Sequence, residues 1–314
     1  MEVAYTEPLS RGWGRMKSIL FSPFRLEKWF VLGFTAWLAY LTDWKGLGGN
    51  GGASARTRFD SVGDSVDYLG ERAGEFFISG VATAFMALLV LGGIALFFLL
   101  LWLSSRGHFL FLDNVVHNRS RVSDPWKRFG KLGDSLFVWR VVYTLACIVA
   151  IGPLIGLFVV SALPFAVRSL PGEIGVAGLL FAGTVAVIFI VAAVYVDFFL
   201  LHFVAPIMYK QNVSAMEGWR RFLPVFREKY LEFLLYGLFY LLLVFGAMVV
   251  IVVFGLVTCC AGFFLLAIPY IGTVLLLPMH VTFRGMDLEF LAQFGPDLDL
   301  TVGFPETATN AAEG

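Results

Sequence analysis

Charge is what this sequence has least of: 15% of its 314 residues are Asp, Glu, Lys or Arg, where a soluble domain carries roughly a quarter. Uncharged apolar stretches take their place, with 59% of the chain hydrophobic, and an ordinary soluble globule is thereby excluded. Cysteine is scarce as well. Cys147, Cys259 and Cys260 all lie in apolar surroundings without C-x-x-C spacing, which excludes a disulfide framework and a zinc site. A phosphate-binding glycine loop, H-E-x-x-H and G-x-S-x-G are also lacking. The sequence therefore points to no catalytic residue, no metal ligand set and no cofactor. The basic loops carry aromatics committed to a membrane boundary, so nucleic acid is not an expected partner.

The apolar runs are Trp29 to Thr42, Phe76 to Ser105, Val141 to Val167, Ile174 to Val196, Phe233 to Val257 and Cys259 to Phe283. About 20 apolar residues cross a bilayer, and backbone polar groups in lipid must be satisfied within the segment. The expected fold is an all-α integral membrane protein with six transmembrane helices. Its first helix is short unless Phe24 to Lys28 extend it, and Thr258 to Gly262 must form a tight outer turn. Trp29 to Thr42 starts too late and ends in Asp43, Trp44 and Lys45, unlike a cleaved signal peptide.

Lysine and arginine are unevenly placed. Eighteen of the 23 fall in residues 1–28, 106–140 and 210–229 or at Arg284; Lys45, Arg56, Arg58, Arg72 and Arg168 make up the other side. Basic loops stay inside. Both termini are expected in the cytoplasm of a prokaryotic cell, with the chain in its inner membrane. The expected division is a cytoplasmic segment (1–28), the membrane domain (29–284, outer loop 43–75, inner loops 106–140 and 209–229) and an acidic cytoplasmic tail (285–314). A glycine-rich linker (46–53) and an acidic surface helix (59–76) are expected in the outer loop, and a mobile tail from Pro296.

Two four-residue words recur: WKRF at 126–129 and WRRF at 219–222, each ahead of an apolar run. Ser214 to Glu217 forms an S-x-x-E capping box, followed by Met216, Trp219, Phe222, Leu223 and Phe226 at helical spacing. Ser123, Asp124 and Pro125 start the other copy. A third is written at the N-terminus, where Gly12, Trp13, Arg15 and Met16 match Gly218, Trp219, Arg221 and Phe222. The repeat extends upstream, since FLDNVVHNRSRVSDPWKRF aligns with FVAPIMYKQNVSAMEGWRRF. The unit is an even helix, a basic amphipathic surface helix and an odd helix. Three such units, one split by the chain ends, would give a pseudo-threefold arrangement with even helices clustered at the axis.

The segments PFRLEKWFVLGFTAWLAYL, RGHFLFLDNVVHNRSRVSDPW with LFVWR, and FVAPIMYKQNVSAMEGWRRF resemble a prokaryotic family of uncharacterised multi-pass proteins. Its members are often described as the membrane domain of glycerophosphoryl diester phosphodiesterases. The resemblance covers Pro23 to about Gly295. It implies a membrane module only, because catalysis in such phosphodiesterases belongs to a soluble barrel of roughly 250 residues, for which this sequence has no room.

Polar candidates gather at inner helix ends: His108, Asp113, His117, Asp197, His202 and His280. Asp113 and His117, four apart on a helix face, can ligate a metal or hydrogen-bond each other, and Asp197 lies deep in an apolar run. These six form a candidate polar pocket. Trp13, Arg15, Trp126, Lys127, Arg128, Trp219, Arg220 and Arg221 form a candidate lipid interface, with tryptophan at headgroup depth, apolar side chains in the acyl region and cations on phosphate. The expected function is a non-enzymatic membrane module engaging anionic lipid, a protein partner or a second copy. The alternatives are a small-solute or lipid transporter or channel using Asp197, and an intramembrane metal-dependent enzyme.

Overall fold

The computed structural model describes residues 3–42, 80–166, 173–258 and 261–301. The expected linker at 46–53, the acidic helix at 59–76, Cys259, Cys260 and the end of the tail lie outside them. Every regular element among the described residues is helical: α1 (Thr6–Phe21), α2 (Leu26–Ala39), α3 (Gly80–Val116), α4 (Ser123–Arg128), α5 (Gly130–Ala166) and α6 (Glu173–Phe199). A π-helical turn (Leu200–Val204) follows, then α7 (Ala205–Gln211), α8 (Ala215–Glu228), α9 (Tyr230–Val257), α10 (Ala261–Ala267), α11 (Pro269–Leu275) and α12 (Leu277–Ala292). Packing divides the chain into two units, residues 1–134 with 238–314, and residues 135–237.

Four continuous stretches are long and apolar enough to cross a membrane: Ala84–Val116, Gly130–Val159, Val176–Gln211 and Tyr230–Val257. Protein covers almost none of their apolar windows, 11% at most. Leu88, Leu91, Val149, Ile188 and Val250 all stand exposed. A helix that is apolar on every side and unpacked by protein needs lipid as its solvent. The helices also outrun their apolar stretches. α3 continues past Ser105 to Val116, and its last third, Phe109 to Val116, is buried. The apolar packing of α3 thus lies at its C-terminal end.

The expected first and sixth spans take other forms. α2 has 14 residues, about 21 Å of helix against about 30 Å of hydrocarbon. It runs antiparallel to the inner third of α3. Lys28 reaches Asn118 (2.6 Å), while Ser104 donates to the Ala39 carbonyl (2.8 Å). The sixth stretch is broken twice, at Ile268, whose backbone is extended, and at Leu276. Proline explains the first break, since the residue before Pro269 is driven from helical geometry, and Pro278 sits in the first turn of the helix that starts after the second.

The last of these pieces, α12, is buried from His280 through Leu291 and carries Arg284, Asp287 and Glu289 inside. Residues 285–292 therefore belong to a core helix. Residues 297–301 pack on the protein as well, with Leu298 and Leu300 buried. α1 lies against α12 where two glycines meet. A Cβ on Gly12 would fall 2.8 Å from both Met286 N and Thr282 O. Around them Met16, Ile19, Leu20, Leu32, Ala36, Phe111 and Val281 form one apolar cluster.

Candidate functional site

Of the short helices that follow α3 and α7, α8 begins with the expected cap, whereas α4 starts at Ser123 itself, with Val122 at the cap position and no side-chain cap from Ser123 or Asp124. Ser214 caps α8 by accepting from the Glu217 amide (3.5 Å), and the α8 start is tied to α5 by Ser135 Oγ accepting from Ala215 N (3.0 Å). The helices before them also end alike. Asn118 and Asn212 both adopt φ of 51°, a left-handed geometry that asparagine tolerates and that closes a helix. Gly295, with φ of 135°, follows α12. Among the described residues these three are the positive-φ positions.

The short helices share an inside and an outside. Three residues after each tryptophan comes a plug: Met16, Phe129 and Phe222 are all buried. The residue just before each tryptophan, Gly12, Pro125 or Gly218, is buried too. A Cβ on Gly218 would lie 2.9 Å from the Val204 side chain, so glycine sets the close approach. These apolar side chains pack on protein, where the sequence pattern placed them in the acyl region. Lys127, Arg128, Lys131, Arg220, Arg221 and Arg227 stay exposed.

Each tryptophan has its own setting. Trp13 is half exposed, with Lys17 above its ring (5.7 Å). Trp126 faces Arg106, whose guanidinium lies between it (5.3 Å) and Trp102 (4.4 Å). The same Arg106 is held by both Asp134 oxygens at 2.9 Å, and Trp102 Nε1 donates to Asp134. In the second unit Trp219 stacks on Trp139 (5.6 Å), which stacks on Tyr143 (5.0 Å). Arg15 has a role that its surface pattern did not indicate. It is buried and pairs with Glu289 at 2.7 Å. Burial pushes its guanidinium down to about 10, with Glu289 opposing the shift.

Of the six candidate pocket residues, His108 and His280 are brought together through Tyr40, which stacks on His280 (4.6 Å) and meets His108 edge-on (5.8 Å). Arg284 lies 3.4 Å from His108 Nδ1. A guanidinium only donates, so in this contact His108 Nδ1 can only accept. His117 Nδ1 lies 3.2 Å from the Asp113 backbone carbonyl oxygen, its hydrogen-bond partner, and equally 3.2 Å from Asp113 Oδ1. Asp197 and His202 belong to the second unit. There His202 is buried in the π-helical turn, stacked on Phe198 (4.3 Å), and Asp197 is half buried one turn earlier. Among the described residues no three His, Cys, Asp or Glu side chains come together to hold a metal.

Sequence reasoning missed Tyr40, Arg106, Asp134, Arg284 and Glu289. A cation or carboxylate inside an apolar or boundary stretch was the available signal, since such a charge must find a partner. Its partner, far off in sequence, was not readable.

Four helices long and apolar enough to cross a membrane mark an α-helical membrane protein. Over residues 5–300 the chain matches the model of a family of unknown function, DUF7544, and it belongs to that family. No curated protein and no solved structure matches it.

Proposed function

We propose that this protein is a non-enzymatic membrane module that engages anionic lipid through its basic inner helices, or presents them to a protein partner. One observation carries the reading. In α4 and α8 the apolar plug and the residue before the tryptophan are consumed by protein packing, while Lys127, Arg128, Arg220 and Arg221 remain outside. Cations left exposed beside lipid-facing helices meet headgroup phosphates at little desolvation cost. The module sits in a prokaryotic inner membrane with both termini cytoplasmic. Its plan is three hairpin units around a pseudo-threefold axis, each with an amphipathic surface helix. The like endings at Asn118, Asn212 and Gly295, and the matched plugs Met16, Phe129 and Phe222, support that plan. The resemblance to the membrane domain of glycerophosphoryl diester phosphodiesterases fits a lipid-phosphate setting and carries no catalysis.

Two substitutions test the electrostatics. Each cation near an anionic surface contributes about 1 kcal/mol. Arg220→Gln with Arg221→Gln is therefore expected to lower co-purifying anionic lipid, relative to zwitterionic lipid, by up to roughly thirtyfold in mass spectrometry. Unchanged lipid content would remove the lipid arm of the proposal. Orientation is tested separately: cysteines placed at Arg119 and Arg220 should react with an impermeant maleimide only after cells are opened. Labelling of intact cells would reverse the topology.

The π-helical turn at His202, one turn from Asp197, favours transport as a second reading, because π turns often mark functional sites. Solute flux in proteoliposomes that is lost with Asp197→Asn would support it, and flux that survives would count against it.

A further inference from the structure

The connection between α1 and α2 and the loop after α3 face each other across an open cavity of about 470 Å³. One wall is Ser22, Pro23, Arg25, Glu27 and Lys28; the other is Asn118, Arg119, Ser120 and Arg121. The size falls in the range of small-ligand sites. Four cations line it against one carboxylate, Glu27. Lys28 braces the two walls, its Nζ donating to the Ile19 carbonyl (2.5 Å) and to Asn118 Oδ1 (2.6 Å). Asn118 can accept there because its left-handed backbone turns the chain sharply at the end of α3. The cavity is thus held open by a hydrogen bond between residues 90 apart.

Its charge is not balanced from within. Arg121 lies 3.3 Å from Asp124, but among the described residues Arg25 and Arg119 have no acidic partner within salt-bridge distance, and both are exposed. The cations also crowd one another: burial, and then the charge of Arg25, lower the Lys28 ammonium from its ordinary value. α2 begins at this cavity with Arg25 at its cap position and no side-chain cap, so the helix dipole adds positive potential. Like charges gathered around an open polar space are relieved by an anion. The ligand that uses all of these features is a phosphate group. Arginine forks bind its oxygens in pairs, and the Ser22 and Ser120 hydroxyls supply further donors.

We propose that this cavity is a phosphate-binding site, with a phosphate group, free or esterified, held between Arg25 and Arg119 and Lys28 as a positioning residue. The inference deepens the lipid reading and rests on its premise that the inner basic face meets phosphate. It differs in claiming one saturable site per chain, where the surface helices offer diffuse attraction. The group is either the headgroup of a lipid or a free phosphate.

The full chain in nanodiscs of phosphatidylcholine alone, titrated calorimetrically with inorganic phosphate and with dihexanoyl phosphatidic acid, tests this. At least one ligand is expected to saturate at one per chain. Its affinity should fall about tenfold or more in Arg25→Gln with Arg119→Gln, since two charge-assisted contacts are lost, and should persist in Arg220→Gln with Arg221→Gln. Saturation by the lipid alone identifies a headgroup site, and saturation by inorganic phosphate a free-phosphate site. Both Arg25 and Arg119 are exposed, so an unchanged melting temperature is expected to confirm that the variant folds. The site is wrong if neither ligand saturates, or if the Arg25 and Arg119 variant binds like the parent protein. Loss of lipid retention on α8 without loss of saturable binding, or the reverse, separates the two readings.

Discussion

Glu289→Ala is expected to destabilise the protein by about 3–5 kcal/mol, the range for removing one partner of a buried ion pair. Arg15 and Glu289 are each almost wholly shielded from solvent and meet at 2.7 Å. Burial pushes the Arg15 guanidinium down to about 10, so at neutral pH it still carries its charge. With Glu289 gone, that charge would remain inside the α1 and α12 contact. Arg11, 3.5 Å from the other Glu289 oxygen, is far more exposed and would turn to water. The double change Arg15→Met with Glu289→Met should recover most of the loss, because it removes both charges and keeps the volume. Thermal unfolding in detergent checks both variants. A Glu289→Ala melting curve coincident with the parent's would show that the pair does not hold α1 in place.

The second large effect is expected where two helix backbones touch. Gly107 of α3 lies against α2 so closely that a Cβ would fall 2.5 Å from both Ala39 N and Leu38 C. Neither atom belongs to a side chain that could rotate away. Gly107→Ala must therefore push α2 off α3 and is expected to cost about 2–3 kcal/mol, at the upper end for overpacking. Gly92 lies on the same helix with nothing within 4 Å of its would-be Cβ. Gly92→Ala is expected to be neutral or to stabilise by up to about 1 kcal/mol, through helix propensity alone. The same one-carbon addition thus has opposite signs at two positions on α3. Equal melting temperatures for the two variants would refute the close contact of α2 with α3.

Features within one helical turn were legible. The Ser214 cap, the helical stretch after it and the short helix at Ser123 depend on spacings of three and four residues, which a sequence states directly. The four long apolar helices were legible for a related reason: composition over about 20 residues settles whether lipid or water is the better solvent. Pro269 announced the first break in the sixth stretch, although the core helix running on to Ala292 depended on what packed around it.

Contacts made over long distances in the chain were hidden. Arg15 meets Glu289 across 274 residues, Arg284 meets His108 across 176 and Lys28 meets Asn118 across 90. On a helical wheel Arg15 belongs with the outward cations; packing against α12 turned it inward. His108 and His280, expected at helix ends, lie within α3 and α12, and their environment comes from Tyr40, an unremarked residue at the end of α2.

By itself the sequence determined the apolar character of the four long helices, the Ser214 cap and the break at Pro269, because these follow from local spacing and from transfer energies that act residue by residue. Only the tertiary structure decided which charges are buried in pairs and which line an open cavity, and where α2 lies along α3. Those outcomes depend on the approach of helix surfaces distant in the chain, and approach is limited by single atoms, as at Gly12 and Gly107, that no pattern of hydrophobicity records.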